Sequence, residues 1–180
     1  MRVICYGDSN TYGFDPRSYF GGRYAADARW VDLLEEETGW KIQNEGENGR
    51  SIPRGAIRLP ADTGLLIVML GSNDLLQGAD AETAADRLER FVRQLPLAKE
   101  QILLVAPPPM ALGAWVATPE LVEASKRYAT CCRSLADRLC IRFADTAAWN
   151  IELTFDGVHF TENGHRTFAA RLYEFLQKGE

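Results

Sequence analysis

Residues 65–70 read LLIVML and residues 102–106 read ILLVA, two runs in which no side chain is polar. A strand with one solvated face alternates polar and apolar residues, so unbroken apolar runs of this length belong to strands covered on both faces. Helices are the usual cover, and helical patterns do separate the runs. Ala84, Leu88, Phe91, Val92 and Leu95 recur at helical spacing, as do Leu121, Ser125, Tyr128, Cys132, Leu135 and Leu139. A closing helix carries Phe168, Ala169, Leu172, Phe175 and Leu176, and a first one is expected over residues 26–38, ended by Gly39. Strands are expected at 2–7, 41–46, 65–70, 101–107 and 141–146. Strands alternating with helices predict an α/β fold, a three-layer α/β/α sandwich built on a five-stranded parallel sheet of flavodoxin-like type. The 180 residues suit one domain over 1–180, with no repeat, low-complexity tract or linker composition to divide them.

A formal net charge of −5 argues against a general nucleic-acid partner or a polybasic membrane surface. No apolar run reaches the roughly 20 residues that a membrane-spanning helix needs. The opening MRVICYGDS lacks the apolar segment and small-residue cleavage site of a signal peptide, so a cytoplasmic location is expected. Cys5, Cys131, Cys132 and Cys140 show no C-x-x-C spacing and are expected to be buried, reduced thiols. Neither of the two histidines lies beside a cysteine pair, so no metal site is expected.

Open parallel sheets place their sites at the carboxyl ends of the strands. Here those ends are polar or glycine-rich: Gly7-Asp8-Ser9-Asn10 after the first strand, residues 44–50 (NEGENGR) after the second, and Gly71-Ser72-Asn73-Asp74 after the third. A serine hydroxyl is a weak nucleophile that needs a base within reach and a third group to orient the base. Asp156 and His159 stand three positions apart in TFDGVHFTENGH, where one tight turn brings the carboxylate to Nδ1 and leaves Nε2 facing outward. His165 falls inside the helix that starts at residues 161–163 and is read as a surface or packing residue. Donors for a developing oxyanion are available from the Gly49 N–H, the Asn73 carboxamide and the Ser9 N–H. Taken singly, each of these is ordinary turn chemistry. Their order, spacing and positions at the strand ends make the joint pattern that of an acyl-transfer site.

The same set resembles the SGNH branch of the GDSL hydrolases, whose blocks centre on Ser, Gly, Asn and His. They match Ser9 in YGDSNTYG, Gly49 in NEGENGRS, Asn73 in MLGSND and His159 in DGVHFT, with Asp156 as the acid three residues before the histidine. The likeness runs from the first strand to the closing helix. By RVICYGDSNTYGF, LLIVMLGSND and LLVAPPP it is especially similar to bacterial arylesterase and acyltransferase members. The resemblance implies hydrolysis of short acyl or aryl esters through a Ser9-His159-Asp156 triad and an acyl-enzyme. It also implies an oxyanion hole of Ser9, Gly49 and Asn73, with acyl transfer to alcohols or peroxide in some members. No cofactor is called for; the expected partner is a small-molecule ester, and a homo-oligomer is left open. Asn10 stands where the family usually has leucine. Asn10, Tyr12, Arg50, Met110 and Trp115 are the candidate pocket residues, with Phe14 and Leu112 as further apolar wall. Two other readings stand beside this one. The first is a carbohydrate O-deacetylase with the same triad. The second is a non-catalytic binding module, disfavoured because no G-x-G-x-x-G or Walker pattern follows the first strand.

Overall fold

Alternate side chains of an extended strand leave on opposite faces, and the apolar runs divide accordingly. The computed structural model describes residues 1–18, 20 and 22–178. Its strands are β1 (Arg2–Gly7), β2 (Lys41–Gly46), β3 (Thr63–Met69), β4 (Ile102–Val105) and β5 (Arg142–Ala144). All pair in parallel, in the order β2-β1-β3-β4-β5. Ile4, Leu66, Val68 and Leu104 point into one core, which α4 (Ala81–Val92) and α5 (Pro119–Leu139) cover with Leu88, Phe91, Tyr128, Cys132 and Leu135. Val3, Cys5, Leu65, Ile67, Met69, Leu103 and Val105 point into the other, covered by Trp30, Val31 and Leu34 of α2 (Trp30–Thr38) and Phe168, Ala169 and Leu172 of α6 (Glu162–Lys178). The three-layer α/β/α sandwich expected from the apolar runs is therefore the observed architecture.

Helix ends follow local chemistry. The Asp80 carboxylate accepts the Thr83 N–H at 2.6 Å to open α4, and the Thr161 hydroxyl accepts the Gly164 N–H at 2.9 Å to open α6. Gly39 closes α2 in a left-handed conformation, its N–H donating to the Glu35 carbonyl. The helix expected over 26–38 is interrupted. Residues 26–28 form a separate 3₁₀ turn, and Arg29 is extended (φ −92°, ψ 132°) before α2 begins. Two stretches read as loops are instead single-turn helices, α1 (Ser9–Tyr12) and α3 (Ser72–Leu76), each just past a strand's carboxyl end. One turn is too short to display a periodicity. The cysteines also differ from expectation, since only Cys5 and Cys132 are buried. Cys131 is half-buried on α5, and Cys140 is exposed just past its end, where φ 51° turns the chain out of the helix.

The connection after β1 runs through α2 on one face to β2, and that after β3 runs through α4 on the other face to β4, so the chain leaves these neighbouring strands towards opposite sides. Such a switch point opens a crevice beyond the carboxyl ends of the central strands, here at β1 and β3. Among the described residues no helix is long and apolar enough to cross a membrane.

Candidate active site

Strand β1 ends at Gly7, and the chain turns at once into α1 with Ser9 as its first residue. The Asp8 carboxylate accepts the Asn10 N–H at 3.0 Å and so caps that helix. The Ser72 side chain of α3 favours the ionised form of Asp8, an interaction between the two turns that follow β1 and β3. Burial drives the Asp8 carboxyl up to about 6, against the Asn10 N–H, the His159 charge, the Ser72 hydroxyl and Arg50, which pull it down.

The connection between β5 and α6 arrives over the serine from the far end of the chain. The Ser9 hydroxyl lies 2.9 Å from His159 Nε2, and His159 Nδ1 lies 2.7 Å from Asp156 Oδ2. All three side chains are buried. The Asp156–Gly157 turn predicted from sequence is present, with Gly157 at φ 81° and its amide nitrogen bonded to the Thr154 carbonyl at 3.0 Å. A side chain could not occupy that position, because a Cβ would lie 2.0 Å from the Ala111 carbonyl oxygen. Asp156 Oδ1 accepts the N–H groups of Val158 and His159 at 2.8 and 2.9 Å. Burial alone would raise the Asp156 carboxyl, but the His159 ring, the two N–H donors and the His159 charge outweigh it and hold it at about 2. The carboxylate is thus ionised at neutral pH and acts as acceptor to Nδ1–H, the tautomer that leaves Nε2 with a lone pair towards the serine.

The loop that carries Gly49 is bonded to the end of β1, with the Glu47 N–H on the Gly7 carbonyl at 3.2 Å. Gly49 has φ 74°, and no partner among the described residues takes its N–H. Asn73, in the first turn of α3, uses one N–H of its carboxamide on the Arg50 carbonyl at 3.1 Å, which fixes the side chain beside the Gly49 loop. Asp74 reinforces this from below, with the Ile52 N–H on Oδ2 and Arg87 on Oδ1, each at 2.9 Å. As the first residue of α1, Ser9 has an N–H with no carbonyl one turn earlier in the helix to accept it. A serine hydroxyl hydrogen-bonded to an imidazole that a carboxylate orients is an arrangement able to attack a carbonyl.

The expected pocket residues are brought together only in part. Trp115 stands edge-on to the His159 ring with centroids 4.9 Å apart and is 52% exposed; Phe14 flanks the same ring at 4.8 Å. These two aromatics wall the approach to the histidine. Met110 does not, being buried in the α4–α5 core with its N–H on Ser125 Oγ. Leu112 is exposed. Arg50 serves the loop instead of a ligand: it donates to the Gly7 and Glu45 carbonyls, pairs with Glu47 at 2.7 Å and stacks over Tyr6. Tyr12 is half-buried beneath the Arg23 guanidinium. Asn10 is only 4% exposed, and both ends of its carboxamide are bonded to backbone across the β5–α6 connection, not turned to a pocket. Asp74 was not singled out from sequence; its one signal was its place beside Asn73 at a strand end.

His165 is fully buried against Tyr24 and Phe160, so the packing reading holds and the surface reading does not. Among the described residues no group of three or more His, Cys, Asp or Glu side chains could hold a metal ion.

No curated protein sequence is significantly similar to the chain. Solved structures are. A carbohydrate acetylesterase family member from Sinorhizobium meliloti superposes with a TM-score of 0.81 at 28% identity, covering 98% of this chain and 97% of that one. The aryl esterase of M. smegmatis superposes with a TM-score of 0.79 at 25% identity, covering 98% of each chain. The sequence pattern of the GDSL-like lipase/acylhydrolase family matches residues 5–167, a span reaching from the strand before Ser9 into the helix after His159. With that match over nearly its whole length, the chain belongs to the GDSL-like lipase/acylhydrolase family and is a carboxylic ester hydrolase.

Proposed function

We propose that the protein cleaves esters of short acyl groups, aryl acetates among them, with Ser9 as nucleophile, His159 as general base and acid, and Asp156 as the residue that orients the imidazole. The observation that carries this reading is the unbroken line from Ser9 Oγ through His159 to Asp156, at 2.9 and 2.7 Å. Ser9 Oγ attacks the ester carbonyl carbon while His159 Nε2 takes its proton, and the imidazolium is stabilised by an Asp156 that stays ionised. The carbonyl oxygen becomes an oxyanion held by the Ser9 and Gly49 N–H groups and the second N–H of Asn73. Collapse of this intermediate breaks the bond to the alkoxide, which leaves with the proton from Nε2. Water then attacks the acyl-enzyme, giving its proton to Nε2, and Ser9 recovers a proton as the acid departs.

Turnover of p-nitrophenyl acetate by wild type, Ser9→Ala and His159→Ala tests the assignment, together with labelling of Ser9 by an organophosphonate. Both variants are expected to lose on the order of 10⁴-fold or more in kcat. A folded wild type that neither turns over nor is labelled sinks the proposal, as does a dependence on His165 in place of His159. Methanol added to the assay reports acyl transfer, since methyl acetate then appears at the expense of acetate.

A second reading, removal of acetyl groups from carbohydrates, is favoured by the half-exposed Trp115 beside His159, a surface on which a sugar ring can stack. The likeness to a carbohydrate acetylesterase family member supports it too. Acetate release from acetylated sugars, compared with hydrolysis of aryl acetates, separates the two.

A further inference from the structure

The backbone of residues 158–160, which carries the His159 ring, is buried, and every polar group on it has a named partner. Val158 and His159 give their N–H groups to Asp156 Oδ1. The His159 carbonyl accepts the Thr154 N–H at 2.7 Å, and the Phe160 carbonyl accepts the Tyr24 hydroxyl at 3.2 Å. The two groups left, the Val158 carbonyl and the Phe160 N–H, are both taken by one side chain. Asn10 Nδ2 donates to the Val158 carbonyl and Asn10 Oδ1 accepts the Phe160 N–H, each at 3.0 Å. The chain bends at residues 157–159, and these two groups both face Asn10. One carboxamide, with a donor and an acceptor on the same carbon, grips the chain on both sides of His159.

The backbone of Asn10 is itself bonded on both sides. Its N–H is bonded to Asp8 and its carbonyl accepts the Trp30 indole N–H at 2.9 Å. It also adjoins Ser9 in α1. The geometry points to Asn10 as a positioning residue of the hydrolase. It links the helix that bears the nucleophile to the backbone that bears the base, and sets the Ser9–His159 separation through covalent neighbours of both. Asn10 touches neither substrate nor the reacting atoms. The inference rests on the Ser9–His159 reading of the site and adds a residue to it.

Leucine matches asparagine in heavy-atom count and branching but supplies neither bond, leaving the Val158 carbonyl and the Phe160 N–H buried and unpaired. Misplacing a base by about 1 Å can cost on the order of 10²-fold. Asn10→Leu is therefore expected to lower kcat on p-nitrophenyl acetate, and the rate at which an organophosphonate labels Ser9, by about 10- to 100-fold. KM should stay within about twofold, since no binding contact is removed. Asn10→Asp supplies the readout that a merely structural role would not move. Ionised, its carboxylate can accept from Phe160 but only repels the Val158 carbonyl; protonated, it regains a donor and mimics the amide. The ratio of its kcat to that of wild type, measured on folded enzyme, should rise as pH is lowered from 8 to 6.

If a folded Asn10→Leu keeps kcat and the labelling rate within about twofold of wild type, the clamp is overturned. A rise in KM with unchanged kcat overturns it too and returns Asn10 to the substrate pocket. Should Asn10→Leu fail to fold, the pH trend of Asn10→Asp decides, and a flat ratio overturns the clamp. A wild type with no turnover and no labelling overturns the esterase reading itself, a result distinct from all of these.

Discussion

The Asn73 carboxamide carries two N–H bonds, and the Arg50 carbonyl takes only one of them. That division makes the side chain a brace for the Gly49 loop and leaves one N–H which, on the proposed mechanism, meets a charge that appears only during reaction. A donor matched to the intermediate more than to the ground state changes kcat more than KM. Asn73→Ala is accordingly expected to lower kcat by about 10²- to 10³-fold with little change in KM, as steady-state kinetics on p-nitrophenyl acetate will report. Asn10, the other carboxamide of the site, was legible in sequence only as a departure from the family's leucine. Its partners lie about 150 positions away, and nothing in the local sequence pairs an asparagine with a particular distant carbonyl. Arg50 and Met110 show the same limit. Both follow strand ends in the chain, yet one is spent on the Gly7 and Glu45 carbonyls at the ends of β1 and β2 and the other sinks into the core.

The element that brings His159 to Ser9, the connection between β5 and α6, has almost no regular structure. Backbone bonds hold it, from Thr154 to His159, from Ala111 to Gly157 and from Trp115 to Asp156. Its tightest point is Gly157, where φ is positive and the Ala111 carbonyl fills the space a Cβ would need. Gly157→Ala combines a disfavoured backbone conformation with a steric conflict, and is expected to cost about 1–3 kcal/mol. Urea denaturation measures this, with a lowered midpoint and an unchanged slope as the expected result. A midpoint equal to that of wild type would show that the connection relaxes freely. The Asp-Gly pair announced this turn in sequence because few residues accept its geometry. The single-turn helices α1 and α3 were not announced, since four or five residues carry no period and what makes them helical is the capping and packing around them.

At the scale of the whole molecule, two buried titratable groups set opposing dependences of stability on pH. Burial lifts Asp8 from 3.8 to about 6. Burial, together with the His159 and Arg29 charges, lowers His165 from 6.5 to about 3. As pH rises through the window from about 4 to 6, the unfolded chain has released the Asp8 proton while the native state still holds it, so Asp8 makes stability fall. Over the same window the unfolded chain binds a proton that native His165 refuses, so His165 makes stability rise with pH. Urea denaturation at pH 4 and pH 6 should show Asp8→Asn gaining stability with rising pH relative to wild type, and His165→Leu losing it. Each difference is on the order of 1–3 kcal/mol. Slopes unchanged from wild type in both variants would refute the assignment. The sequence by itself determined the layers and the strand ends. Apolar runs without polar interruption demand cover on both faces, and polar residues that follow such strands emerge at one edge of the sheet. It also pointed to Ser9, His159 and Asp156 as a set, because turn chemistry favours Asp156 beside His159, a strand end presents Ser9, and the joint pattern resembles the family's. Only the tertiary structure decided what holds them at 2.9 and 2.7 Å. Hydrogen bonds between segments far apart in the chain depend on where packing leaves each backbone group, and that information belongs to the folded molecule as a whole.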